Sequence, residues 1–128
     1  MKITRNVRTA SIAVLIVLAV FVVWKKSRPS TPDPKIAFGQ CLTDKGAKFY
    51  GAYWCPHCTA QKKLLGKGFS KVTYIECAVP GNPQKQTEDC KNAKIEGYPT
   101  WIFADGARKS GEVTLRDLAD QTGCPWNP

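Results

Sequence analysis

Apolar positions follow two unlike patterns along this 128-residue chain. Thr9 to Trp24 is a single run of 16 residues without a charge, bracketed by Arg8 and by Lys25-Lys26. From Asp33 onward, apolar residues come in short stretches of helical or alternating period, separated by Gly, Pro and Asn. Asp33-Pro34 offers an N-cap followed by proline at the first helical position. It predicts a helix to about Lys45, with Phe38, Cys41 and Leu42 on one face and Gly46 at its end. Ala47 to Trp54 is rich in aromatic residues and predicts a strand running into Cys55. A helix from Pro56 to Gly66 or Gly68 follows, then a strand over Val72 to Cys77 in which Val72, Tyr74 and Glu76 alternate with Thr73, Ile75 and Cys77. Ala78 to Gly81 reads as a loop, and Asn82-Pro83 repeats the cap-and-proline device ahead of a helix carrying Cys90. Thr100 to Ala104 and Ala107 to Gly111 flank Asp105-Gly106 as a hairpin. Thr114 caps a last helix, with Asp117 at its third position, Val113 and Leu118 as a hydrophobic staple, and Gly123 at its end. The expected order is helix, strand, helix, strand, helix, strand, strand, helix, without internal repeats.

The long run asks for a different solvent. At 1.5 Å per residue it reaches about 24 Å, a little short of a hydrocarbon core of about 30 Å. Trp24 and snorkelling Arg8 and Lys25 can cover the shortfall. A cleaved signal peptide is the competing reading, but Lys25-Lys26-Ser27-Arg28-Pro29 contains no small-residue cleavage site. The expectation is an uncleaved anchor over 1–26, held in a lipid bilayer through residues 9–24, then a Pro-rich linker over 27–35 and one domain over 36–128. Charge fits this division. The chain carries a net +9, yet residues 1 to 35 hold seven basic residues against one acidic, leaving only +3 for the domain. The excess flanks the apolar run, as headgroup anchors do. No basic and aromatic stripe marks the domain, so nucleic acid is not expected as a partner.

Six cysteines, an even number, suit an oxidising compartment and allow 15 pairings. Two of them stand in Tyr53-Trp54-Cys55-Pro56-His57-Cys58. If Cys55 ends a strand and Pro56 opens a helix, the unpaired N–H groups and positive end of that helix favour a Cys55 thiolate. Cys58, one turn further in, can then attack a mixed disulfide on Cys55 and close the pair. His57 adds a donor beside the sulfur. Cys55, Cys58 and His57 are therefore the candidate catalytic residues, with the Cys55/Cys58 disulfide as the redox group and no separate cofactor. A c-type haem would need His after Cys58, where Thr59 stands. No metal is expected either, since Cys55, His57 and Cys58 lack an obvious second pair of ligands once the remaining cysteines are bridged.

The element order and the dithiol after the first strand resemble the thioredoxin fold, without the extra leading strand of full-size thioredoxins. The resemblance implies an α/β fold with a four-stranded mixed sheet flanked by helices. Tyr98-Pro99-Thr100, with Pro99 44 residues after Cys55, resembles the cis-proline loop of that superfamily. There the loop exposes a backbone edge on which an unfolded substrate pairs. By this resemblance Tyr98 and Pro99, with Trp54 and Pro56 beside the dithiol, bind substrate. Lys48 to Cys58, Tyr74-Ile75-Glu76-Cys77 and Gly97-Tyr98-Pro99-Thr100-Trp101 are similar to the thioredoxin-like domain fused to bacterial homologues of vitamin K epoxide reductase. That domain shuttles disulfides between a quinone-linked membrane enzyme and secreted proteins. Here it would stand alone, tethered by its own anchor.

The closer resemblance implies a structural Cys77–Cys90 disulfide, worth about 3 kcal/mol for a loop of roughly 14 residues. A second bond, Cys41–Cys124, stays open at this point, because Cys41 also fits as a small core residue. The implied activity is thiol-disulfide exchange with exported cysteine-containing proteins, as oxidant or isomerase, coupled to a vitamin K epoxide reductase-like membrane oxidase. The implied place is the oxidising side of a membrane, a bacterial periplasm or a thylakoid lumen. The alternatives are an anchored reductant, for instance in cytochrome c maturation, and a redox-inert or metal-binding module. One departure matters for mechanism. Many thioredoxin-like proteins carry a buried carboxylate six residues before the first active cysteine, and here that residue is Phe49. No group in the sequence identifies itself as the proton acceptor of Cys58.

Overall fold

Two adjacent residues at the middle of the central strand, Phe49 and Tyr50, set the layering, because neighbouring side chains on a strand point to opposite faces. The computed structural model describes the backbone of residues 3–26 and 33–127, and the side chains of 11–26 and 33–127. It divides into two compact units, residues 1–31 and 32–128. In the second, β1 (Lys48–Gly51), β2 (Thr73–Glu76), β5 (Thr100–Ile102) and β6 (Arg108–Ser110) form a mixed sheet in the order β2-β1-β5-β6. β2 runs parallel to β1, whereas β5 and β6 are antiparallel to their neighbours. Phe49 and Trp101 stack with ring centroids 4.9 Å apart on one face, in a core shared with Leu42, Leu65, Phe103 and Leu118. Tyr50 faces the other way, into a smaller cluster with Cys77, Cys90 and Ile95.

Helices cover the sheet. α2 (Pro34–Asp44) starts where Asp33 accepts a hydrogen bond from the Lys35 N–H, and buries Phe38, Gly39 and Leu42. Gly39 lies directly on Gly68, and Gly68 directly on Lys35, each contact running through a backbone carbonyl that a Cβ would strike. α2 and the 3-10 segment Gly66–Lys71 thus approach backbone to backbone, which only glycine permits. α3 (Pro56–Leu65) precedes that segment. α5 (Leu115–Thr122) is capped by the Thr114 hydroxyl, which accepts from the Asp117 N–H, and ends at Gly123 with φ 73°.

The structure departs from expectation between residues 78 and 92. Asn82-Pro83 does not open a helix. It begins β4 (Asn82–Gln86), paired with β3 (Ala78–Val79) through a turn at Gly81, φ 77°. Thr87 then donates its N–H to Cys77 O, so the chain stays extended up to α4 (Glu88–Asn92). The local signal was ambiguous for a physical reason. A proline's missing N–H is tolerated at a helix start and equally on an exposed edge strand. The strand expected over 47–54 is also shorter, because the chain turns after Gly51 to bring Cys55 to the head of α3.

The first unit contains α1 (Ile3–Lys26). Its large apolar side chains from Ile12 to Trp24 are 53–67% exposed. Among the described residues no helix is long and apolar enough to cross a membrane, so the spanning anchor expected over 9–24 is not shown. The linker expected over 27–35 lies mostly outside the described residues, and its last two, Pro34 and Lys35, are already helical.

Candidate active site

Cys55 is the N-cap residue of α3, in extended conformation, and Pro56 occupies the first turn, where a missing N–H is harmless. This puts the Cys55 sulfur at the positive end of the helix. Cys55 is 5% exposed, and its Sγ donates to Tyr98 O at 3.7 Å. The Tyr98–Pro99 peptide is cis, and the Pro99 carbonyl accepts from the Gly111 N–H at 2.8 Å. The loop that ends at β5 is thereby held against the dithiol.

Cys58, one turn on, is 0% exposed and shares a hydrogen bond with Cys55. Burial pushes its thiol up to about 12, and the hydrogen bond to Cys55 adds to this. A hydrogen bond from Ala52 and the charge of Lys62 oppose it. Both cysteines are free thiols here. The other four form two disulfides, Cys41–Cys124 and Cys77–Cys90. The first ties α2 to the chain beyond α5, and the second ties the end of β2 to α4.

An aromatic surface rims Cys55. Tyr53 and Trp54 are 56% and 48% exposed. Trp54 meets Tyr98 edge to face at 6.0 Å, and its Nε1–H donates to Pro83 O at 3.2 Å. Gln86 donates to the Tyr98 hydroxyl at 2.9 Å. The unforeseen β3–β4 hairpin therefore holds both aromatic side chains in place. Pro56 and His57 are exposed on the same helix start, and His57 donates from Nδ1 to Glu112 at 2.7 Å.

Gln61 is a residue that sequence reasoning missed. Fully buried, it donates to Val113 O at 3.0 Å and accepts from Val113 N at 2.7 Å. With His57 and Glu112 it pins α3 to the segment before α5. The signal was present, since Cys58, Gln61 and Leu65 fall on one helical stripe and Gln61 is its only amide. Among the described residues no group of three or more His, Cys, Asp or Glu could hold a metal ion.

Comparison with known proteins agrees with this geometry. No family model matches the chain. The chain is 44% identical over 91 residues to thiol-disulfide oxidoreductase LTO1 of Arabidopsis thaliana, a match covering 69% of this chain. It spans only 24% of that relative's length. A solved structure described as that of a malarial protein matches at a TM-score of 0.39 and 21% identity, over 59% of this chain and 93% of that one. A likeness that loose carries no argument. Identity with the Arabidopsis oxidoreductase at this level, in a domain whose fold sets a Cys-x-x-Cys helix against a cis-proline loop, means that the chain belongs to the thioredoxin-like superfamily.

Proposed function

We propose that this protein exchanges disulfides with exported cysteine-containing proteins through Cys55 and Cys58, as an oxidant or isomerase recharged by a quinone-linked membrane oxidase of the vitamin K epoxide reductase kind. The observation that carries the reading is the asymmetry of the pair. Cys55 sits at a helix start beside the Tyr98 carbonyl and an exposed aromatic rim, with Cys58 sealed behind it. In the oxidising direction a client thiolate attacks Cys55 Sγ and the Cys55–Cys58 bond breaks. The electron pair leaves on Cys58, which takes a proton. A second client thiolate then attacks the client sulfur of the mixed disulfide, so the client gains a disulfide and Cys55 departs as thiolate. Two electrons remain on the dithiol for the oxidase to remove.

Two bonded cysteine pairs support an oxidising compartment. A helix apolar on every side supports attachment to a lipid bilayer through residues 9–24, because such a helix needs an apolar surrounding. Recovery of the full chain from the soluble fraction of its host would end that part of the proposal. The catalytic part is tested by Cys58→Ala. Reductant-sensitive adducts of exported proteins should accumulate on Cys55, and their absence would remove the redox reading. Direction is set by the reduction potential, expected above the roughly −270 mV of ordinary thioredoxin. A value at or below it would make the protein a reductant.

A further inference from the structure

A thiol that is sealed from solvent must still lose its proton before it can attack. Position 49 provides no base, because Phe49 is fully buried between Trp101 and Tyr74. The strand beside it does. In the parallel register of β1 and β2, Phe49 pairs with Tyr74 and Gly51 with Glu76. Tyr74 and Glu76, two apart, share a strand face. The Tyr74 hydroxyl donates to Glu76 Oε2 at 2.6 Å, and Glu76 Oε1 accepts from the N–H groups of Ala78 and Tyr53 at 2.9 and 3.2 Å. Gly51 joins this pair to the dithiol. A Cβ there would stand 3.1 Å from Cys58 Sγ and 3.4 Å from the Tyr74 hydroxyl, so both atoms face the same point. They lie within about 6.5 Å of each other, a gap that bridging water can close. The Tyr74 ring is fixed by Phe49, Phe69 and Lys62, whose Nζ lies 3.9 Å over it.

We propose that Tyr74 and Glu76 form the proton relay of Cys58, performing from β2 the task that a buried carboxylate at position 49 would perform from β1. The proposal rests on the redox function argued above. As Cys58 attacks Cys55 in a mixed disulfide, its thiol proton passes to the Tyr74 oxygen through bridging water. The Tyr74 proton passes at the same time to Glu76. A Cys55–Cys58 bond forms, the Cys55–client bond breaks, and the client leaves as thiolate. Tyr74 ends neutral, and half-buried Glu76 ends as a carboxylic acid that returns its proton to water. In the oxidising direction the relay runs backwards and protonates the departing Cys58. Cys55 and Lys62 from its own helix act on Cys58, and Cys58 and Glu76 both act on Tyr74 of β2. Lys62 is a cation and cannot take the proton. Burial and the bond to Glu76 hold Tyr74 protonated, so it passes a proton on without storing charge.

The test uses the reduced full chain and the aromatic disulfide dithiobis(nitrobenzoate). Attack by Cys55 releases a first arylthiolate, and resolution by Cys58 releases a second. Tyr74→Phe keeps the packed ring. Glu76→Gln can keep its amide oxygen on the Ala78 and Tyr53 N–H groups while turning its NH₂ toward Tyr74, which removes only the proton acceptor. In both variants the second release should slow about 100-fold, the scale of general-base assistance, with the first release unchanged. The wild-type second release should be nearly flat over about pH 6 to 8, whereas in the variants it should climb about tenfold per pH unit, as hydroxide replaces the relay. A second release unchanged in the variants, or slowed with an unaltered pH profile, overturns the relay. A wild-type protein that gives no second release overturns the redox reading itself.

Discussion

The two sulfurs of the dithiol are three residues apart and have opposite surroundings. Around Cys55 lie exposed rings, a backbone carbonyl and the ends of loops, held by hydrogen bonds that reach out to the β3–β4 hairpin and to Glu112. Around Cys58 lie packed side chains, with Cys55 and Lys62 acting on it and Tyr74 facing it across Gly51. One turn of helix is enough to make this difference, because it carries a side chain from the helix start into the core. The difference separates two tasks. On the proposed function the outer sulfur would meet the client and need surface, whereas the inner sulfur would meet only Cys55 and need a path for its proton.

Gln61 is the place to break that separation. Gln61→Leu keeps the volume but strips Val113 of the partners for its buried N–H and C=O. A loss of about 3 kcal/mol is expected in denaturant unfolding, from two backbone groups left unsatisfied. Because the same change loosens α3 over Cys58, thiol alkylation of Cys58 should speed up more than that of Cys55. Equal acceleration would mean that Gln61 holds the whole helix and not its inner side.

A pH series sharpens the contrast with a smaller effect. The Cys58 thiol is raised from 9.0 to about 12 in the folded dithiol. Below pH 9 folded and unfolded chains both hold this proton, and stability is unaffected. Between the two values the unfolded chain releases it and the folded chain does not, so stability falls as pH rises. The loss should be about 1.4 kcal/mol by pH 10. The Cys55–Cys58 disulfide form has no thiol to titrate and should lack this component. Thermal melts of the two forms against pH check it, and parallel curves would contradict a buried, proton-holding Cys58.

The sequence made some of this legible and hid the rest for definite reasons. Helices announced by local chemistry could be placed from sequence, such as α2 with Asp33-Pro34 and α5 with Thr114 and Asp117, because a cap satisfies the orphan groups of its own helix. The same device at Asn82-Pro83 misled, since nothing local distinguishes a helix start from an edge strand that pairs with Ala78–Val79. Alternation along Val72 to Cys77 put Tyr74 and Glu76 on one face. That this face looks at Cys58 depends on the register that sets Gly51 against Glu76, and pairing register between distant strands is not written in either one.

Trp54 gives the finest separation of the two sides. It is 48% exposed, its edge contact with Tyr98 is at the surface, and its one hydrogen bond, to Pro83 O at 3.2 Å, is solvent-accessible. Trp54→Ala should therefore cost less than about 1 kcal/mol of stability, as surface changes do. Its effect should fall on the client. An aromatic ring beside a backbone edge offers apolar contact that a protein client can use and a small disulfide cannot. Combined with Cys58→Ala, the substitution should cut the yield of trapped protein adducts several-fold and leave the first arylthiolate release from dithiobis(nitrobenzoate) unchanged. If that release slows by the same factor, Trp54 acts on the Cys55 sulfur through Tyr98, and the outer side of the dithiol is tuned chemically as the inner side is.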